Sequence, residues 1–161
     1  MSEQIIAFQG EHGAYSEEAI HHHFGDGVTT LPCETFQGIF DAIQRGKATH
    51  GMLPVENAVA GTVAQAYELL MEYDFRVQAE HILPVQHCLL APDGASLDAI
   101  KQVKSHPQAL AQCEESLRTL NGGVQVIAAL DTAGSVALIQ REKWRDAAAI
   151  AGERAAEFYG M

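Results

Sequence analysis

The residues that could do chemistry gather in four short segments, and the chemistry they suit is the grip and orientation of a small anion. Gly10-Glu11-His12-Gly13-Ala14-Tyr15-Ser16 lies between a strand-like and a helix-like stretch, so its main-chain amides could cradle a carboxylate or a phosphate. Its glycine spacing fits neither a dinucleotide fingerprint nor a phosphate loop, and an ordinary strand-to-helix turn is the alternative. In Pro54-Val55-Glu56-Asn57-Ala58-Val59-Ala60-Gly61-Thr62-Val63, Glu56 and Asn57 directly follow an apolar run. Asn57 brings both a donor and an acceptor; the alternative is a capped loop in which Asn57 satisfies its own backbone. In Ser105-His106-Pro107-Gln108-Ala109-Leu110-Ala111-Gln112-Cys113, Ser105 or His106 would sit at a helix mouth. Gln108 and Gln112 are four apart and so share a face. Against this, Ser105 reads equally as a simple N-cap and His106 as a turn histidine. Asp131-Thr132-Ala133-Gly134-Ser135-Val136 offers Thr132 as a contact, or is another helix start.

Composition narrows the ligand and the partners. The 161 residues carry 21 acidic and 10 basic side chains, a formal charge of -11. That balance repels nucleic acid and also repels small anions at long range, so an anionic ligand must be held by local donors. His21-His22-His23 falls inside an expected helix, where consecutive side chains diverge, and His50, His81 and His87 lack ligand spacing, so no metal site is expected. Cys33, Cys88 and Cys113 are widely spaced and suggest free buried thiols in a reducing cytoplasm rather than a disulfide framework. No apolar run is long enough to span a bilayer, and Met1-Ser2-Glu3-Gln4 lacks the features of a signal peptide. A cytoplasmic protein without membrane contact is the expectation.

Short apolar runs alternate with amphipathic stretches, which argues for an α/β fold. Ile5-Ile6-Ala7-Phe8 reads as a strand, with Ser16 capping a helix that Gly25 ends. Thr35 caps a second helix lined by Phe36, Ile39, Phe40 and Ile43 and closed at Gly46. A strand from His50 to Leu53 leads to a turn, and Thr62 or a neighbour opens a helix to about Glu72, with Val63, Ala66, Tyr67, Leu70 and Met71 inward. Phe75 to Leu90 reads as two strands broken at Pro84. Beyond it come a turn at Pro92-Asp93-Gly94, a short helix from Ser96 and a strand near Gln102 to Lys104. One helix from Pro107, with Leu110, Cys113, Leu117 and Leu120 buried, closes at Asn121-Gly122-Gly123. Val124 to Leu130 is a strand, Ala133 to about Arg141 a helix behind a cap at Asp131 or Thr132, Ala147 to Ala151 a strand, and Gly152 to Tyr159 a helix. Two lobes, residues 1-83 and 84-161, would frame a ligand cleft.

The four segments, in this order and at these intervals, resemble prephenate dehydratases. That family shows a Gly-rich segment ending in an aromatic residue and Ser, a Pro-x-Glu-Asn-Ser loop, a Ser-His-Pro-Gln-Ala-Leu-x-Gln-Cys stretch, and an Asp-Thr-Ala segment. Ser105 to Cys113 follows the third pattern at nine positions, and the resemblance covers nearly the whole chain. It implies a two-lobed fold like a type II periplasmic binding protein. The implied activity is a carbon-oxygen lyase of phenylalanine biosynthesis, converting prephenate to phenylpyruvate with loss of carbon dioxide and water. By the same resemblance Asn57, Ser105 and Gln112 line the substrate site, while Glu56, His106 and Thr132 lie in matching motifs. No cofactor is implied, because making the ring aromatic is already downhill; the enzyme must orient a dianion and help a hydroxyl leave.

The sequence departs from the family pattern in three places. Ala14 stands where many members have Thr and Ala58 where many have Ser, each loss weakening a hydrogen bond by about 0.5–1.5 kcal/mol. The family continues with a Thr-Arg-Phe segment that returns to the first lobe and carries the proposed acid for the departing hydroxyl, and then with an ACT regulatory domain; neither is present in these residues. The expectation is therefore a chain truncated before that return, with impaired turnover and a tendency to homo-oligomerise. Prephenate is the expected small-molecule partner, with arogenate as an alternative. The rival readings are a non-catalytic binding module, or an inactive fragment, that takes up an aromatic-pathway keto or amino acid.

Overall fold

The continuous apolar run Ile5-Ile6-Ala7-Phe8 demands burial on both faces, and it sits at the centre of a parallel sheet. In the computed structural model, which describes residues 4–120 and 123–161, strand β1 (Ile5–Gln9) is flanked by β2 (Thr29–Cys33) and β3 (His50–Met52) in the order β2-β1-β3. Ile6 pairs with Thr30 on one side and His50 on the other. The connections are α1 (Tyr15–Phe24) and α2 (Phe36–Gln44), as parallel neighbours require. Helix α2 starts where the Thr35 hydroxyl oxygen accepts from the Gly38 amide at 3.1 Å, and it buries Ile39 and Phe40 against Ala7. A two-stranded ribbon, β4 (Glu56–Asn57) with β5 (Gly61–Thr62), leads into α3 (Ala64–Glu72).

The chain divides into two units. One comprises residues 1–11 and 15–84, the other residues 12–14 and 85–161. The second unit is built on a four-stranded sheet in the order β6-β9-β7-β8, with β6 (Cys88–Leu90), β7 (Gln102–Ser105), β8 (Gln125–Ala128) and β9 (Ala147–Ala151). β7 runs parallel to both β8 and β9, and only β6 is antiparallel. The small side chains of β9 are fully buried, so helices pack closely on both of its faces. Ala147, Ala149 and Ala151 meet α6 (Thr132–Glu142) and α7 (Glu153–Tyr159), while Ala148 and Ile150 meet α4 (Pro107–Gln112) and α5 (Glu114–Arg118).

Several elements differ from the sequence expectation. The strand β2 over Thr29-Thr30-Leu31-Pro32-Cys33 was not foreseen; it lies at a sheet edge, where its proline is tolerated. Ser16 lies inside α1 rather than at its cap. Residues 74–87 form no strand, and only Cys88–Leu90 of the expected pair is paired. Helix α3 opens at Val63, a neighbour of Thr62 as expected, but its buried face is Ala66 and Leu69, with Met71 81% exposed and Tyr67 45% exposed. The helix expected from Pro107 breaks into α4 and α5 at Cys113; its expected end at Asn121-Gly122 lies outside the described residues. No helix among the described residues is long and apolar enough to cross a membrane.

Candidate functional site

In both sheets the parallel strands end along one edge, and that is where open α/β sheets present ligand-binding groups. In the first unit, β1 runs into Gly10, whose amide donates to the Cys33 carbonyl at 2.9 Å. β3 leads into the segment that holds Glu56 and Asn57. The Asn57 side-chain carbonyl accepts from the amides of Val59 and Ala60 at 2.9 and 3.0 Å, and Asn57 pairs with Gly61 across the ribbon. Its oxygen therefore serves its own turn, as the local alternative held, while its amino group takes no part in those two bonds. Glu56 beside it is exposed.

In the second unit, Ser105 ends β7 with no exposed surface. Its hydroxyl donates to the Ile150 carbonyl at 2.6 Å, and its own carbonyl accepts from the Ala129 amide at 2.8 Å. Ser105 thus ties β7 to both neighbours at the strand ends, and its hydroxyl oxygen keeps only acceptor capacity. His106 caps α4: its Nδ1 accepts from the Gln108 amide at 3.2 Å, so a neutral ring carries its proton on Nε2. Pro107 occupies the first turn, where its missing N–H costs nothing.

Gln108 and Gln112 occupy one face of α4. The Gln108 Nε2 is buried without a hydrogen-bond partner, and the exposed Gln112 places its Oε1 2.8 Å from Nε2 of His87. Thr132 is the first residue of α6. The preceding Asp131 carboxylate accepts from the Gly134 amide, and the Ser135 hydroxyl donates to the Asp131 carbonyl at 2.8 Å. A Cβ at 134 would stand 2.7 Å from that carboxylate, which would have to shift to make room.

The Gly10–Ser16 segment is divided between the units. His12–Ala14 belong with the second, where Gly13 lies so close to α7 that a Cβ would fall 2.7 Å from the Ala155 Cα and His12 stacks on Phe158 at 4.9 Å. Burial raises the Cys33 and Cys113 thiols above their ordinary value, which keeps both protonated and poor as nucleophiles. His22 and His23 each meet His81 edge-on at 5.9 Å, yet no group of three or more metal-ligating side chains converges among the described residues.

The structure thus gathers Ser105, His106, Gln108, Gln112 and Thr132 in one unit, and Glu56 with Asn57 in the other. His87 is the residue sequence reasoning passed over. It sat outside every motif, and its partner lies 25 positions further along the chain, so no local signal marks it.

The chain is similar to several known proteins. Arogenate dehydratase/prephenate dehydratase 2, chloroplastic, from Arabidopsis thaliana is 41% identical over 97% of this chain and 40% of its own length. Arogenate dehydratase 1 from Petunia hybrida is 41% identical over 97% of this chain and 37% of its own. The chain thus spans about two-fifths of the curated relatives it matches. A solved structure described as a novel type of quorum quenching acylase, GqqA, superposes with a TM-score of 0.90 at 37% identity, over 98% of this chain and 56% of that one. Prephenate dehydratase from Arthrobacter aurescens in complex with L-Phe superposes with a TM-score of 0.86 at 24% identity, over 96% of this chain and 52% of that one. The two-lobed, periplasmic-binding-protein-like α/β fold is the fold of these dehydratase structures. The expected cytoplasmic location does not stand, because relatives at 41% and 42% identity are named as chloroplastic. The family model described as prephenate dehydratase matches residues 6–161, and on that match the chain belongs to the prephenate dehydratase family.

Proposed function

We propose that this chain supplies the substrate-binding groups of a dehydratase that converts prephenate to phenylpyruvate. In that reaction the bond from the ring to its carboxylate breaks and its electron pair enters the ring. The hydroxyl on the far side departs with a proton as water, and carbon dioxide is the other product. No electron carrier enters the balance. The protein's part is to hold two carboxylates apart in a fixed pose and to assist the departing hydroxyl. The observation that carries this reading is the position of Ser105–Cys113, the nine-residue motif, at the carboxyl end of β7, in a chain 41% identical to proteins named as arogenate or prephenate dehydratases.

In this reading the amino groups of Asn57 and Gln112 donate to substrate carboxylates, and Ser105 acts chiefly by fixing the strand end from which His106 and Gln108 project. Glu56, His106 and Thr132 contribute polar contacts. Self-association through exposed apolar side chains such as Val77, Ile82 and Leu130 belongs to the same proposal and is read by size-exclusion chromatography. The acylase relative suggests another substrate class, but Ser105 and Ser135 both spend their hydroxyl protons on main-chain carbonyls, which does not favour a serine nucleophile.

Calorimetry with prephenate, arogenate and phenylalanine, beside a phenylpyruvate assay, tests the proposal. Prephenate or arogenate binds, and the phenylpyruvate assay reads whether these 161 residues turn it over. The sharper arm is Asn57→Asp. It keeps the oxygen that accepts from Val59 and Ala60, so the ribbon stays intact, but it sets a carboxylate where the substrate needs a donor. Affinity falls by about tenfold or more at unchanged thermal stability. Binding of phenylalanine alone supports the non-catalytic rival, and failure of both prephenate and arogenate to bind sinks the dehydratase reading.

A further inference from the structure

A carboxamide at the end of a helix can present either its carbonyl or its amino group to a ligand, and the two choices suit opposite charges. Gln112 is the last residue of α4 and is exposed, so nothing in its own helix settles the choice. Its carbonyl oxygen lies 2.8 Å from the Nε2 atom of His87, on the stretch just before β6. In that arrangement the ring nitrogen is the donor and the carbonyl the acceptor. The Gln112 amino group is then turned away from His87 and left to donate elsewhere. The reverse arrangement, with the amino group donating to a bare Nε2, would present a carbonyl oxygen, which repels a carboxylate. The two geometries share one heavy-atom position and differ by where the His87 proton sits.

We propose that His87 is a positioning residue that sets the Gln112 carboxamide with its amino group outward, making this end of α4 selective for a carboxylate-bearing ligand. The inference rests on the dehydratase reading for the identity of that ligand, and on the hydrogen bond alone for the orientation. One turn earlier on the same face, the Gln108 Nε2 is a buried donor without a partner, so this face of α4 offers a second N–H of the same kind. An anion is the group that would accept from both.

The test uses the 161-residue chain with prephenate and arogenate as probes. Nitrogen-15 spectra of the free chain report which ring nitrogen of His87 carries the proton, and Nε2 is expected. Affinities are then measured for His87→Gln, His87→Phe and His87→Glu. Gln overlays its amide nitrogen on Nε2 and retains wild-type affinity. Phe keeps the ring without the donor and loses about tenfold. Glu offers only an acceptor, draws the Gln112 amino group inward and loses more than Phe. A merely structural role would lower thermal stability in all three variants without this order.

In a Gln112→Ala background the three substitutions cause no further loss, since the group they orient is gone. A proton on Nδ1 in the free chain overturns the orientation, whatever binds. Equal affinities across the variants, or losses that persist in the Gln112→Ala background, overturn the positioning role. A wild-type chain that binds neither acid overturns the dehydratase reading and the ligand named here, while a proton found on Nε2 still supports the orientation.

Discussion

The two carboxyl-end edges carry their candidate groups by different means. In the first unit Asn57 is held by its own turn: its side-chain oxygen accepts from the amides two and three residues later, and the ribbon around it is only two residues deep on each side. In the second unit the corresponding groups are held from far along the chain. Ser105 is fixed by Ile150, 45 positions away, and Gln112 meets His87, 25 positions away. The Gly13 backbone presses on Ala155. A locally satisfied group can form with its turn before the rest of the unit folds. A group satisfied at long range takes up its position only when the sheet is complete, so its geometry inherits the rigidity of the whole unit.

If that contrast is right, substitutions on the second edge disturb an entire unit and those on the first stay local. The largest effect is expected from Gly13→Ala. The new Cβ would stand 2.7 Å from the Ala155 Cα, and the backbone there has φ 86°, where a side chain is strained. Overpacking of about 1–3 kcal/mol adds to backbone strain of about 1–3 kcal/mol. Amide hydrogen exchange should then speed up across β6 to β9 while β1 to β3 keep their protection; a loss of protection confined to residues near 13 would break the contrast.

Ser105→Ala comes next. It leaves the Ile150 carbonyl without its donor in a fully buried strand, at a cost of about 1–3 kcal/mol. Because Ser105 also accepts from Ala129 through its main chain, the strand pairing itself survives. Denaturation followed in the second unit alone should show the loss. A Ser105→Ala chain as stable as the parent would mean that the hydroxyl bond is dispensable, and that Ser105 is free to serve a ligand.

The same division explains what the sequence could and could not tell. Elements whose signals are local were legible. Thr35 caps α2, Asp131 caps α6, Gly160 closes α7 at φ 68°, and the alanine run of β9 reads as a buried strand. The motif positions could be named because type and order sufficed. What failed depended on partners. Residues 29–33 gave no strand signal of their own, and among the described residues β2 pairs with β1 alone. The stretch from Phe75 to Leu90 suggested two strands, but among the described residues no strand pairs with residues 75–87. The inward face of α3 was misjudged because Met71 and Leu69 are equally apolar in sequence and only packing separates them. His87 is the same failure at the site: one residue type, correct but uninformative, until the chain returns to it 25 residues later.

The smallest effect tests the first edge. Asn57→Ala removes the acceptor for the Val59 and Ala60 amides, a loss comparable to that of a helix cap at about 1 kcal/mol. Both amides lie in an exposed turn, so water takes up part of what the side chain gave, and the cost falls toward the lower end of that range. The ribbon retains its Glu56–Thr62 pairing and the bond from the Val63 amide to the Val55 carbonyl. Exchange should therefore accelerate at residues 59–60 and be unchanged along β1 and α2. Were the whole first sheet to loosen instead, the turn would be a keystone rather than a local device, and the two edges would be built alike. A confined change, together with the unit-wide response to Gly13→Ala, would mean that Asn57 can be altered for ligand contact at little structural cost, whereas any change at Gln112 must respect His87 as well.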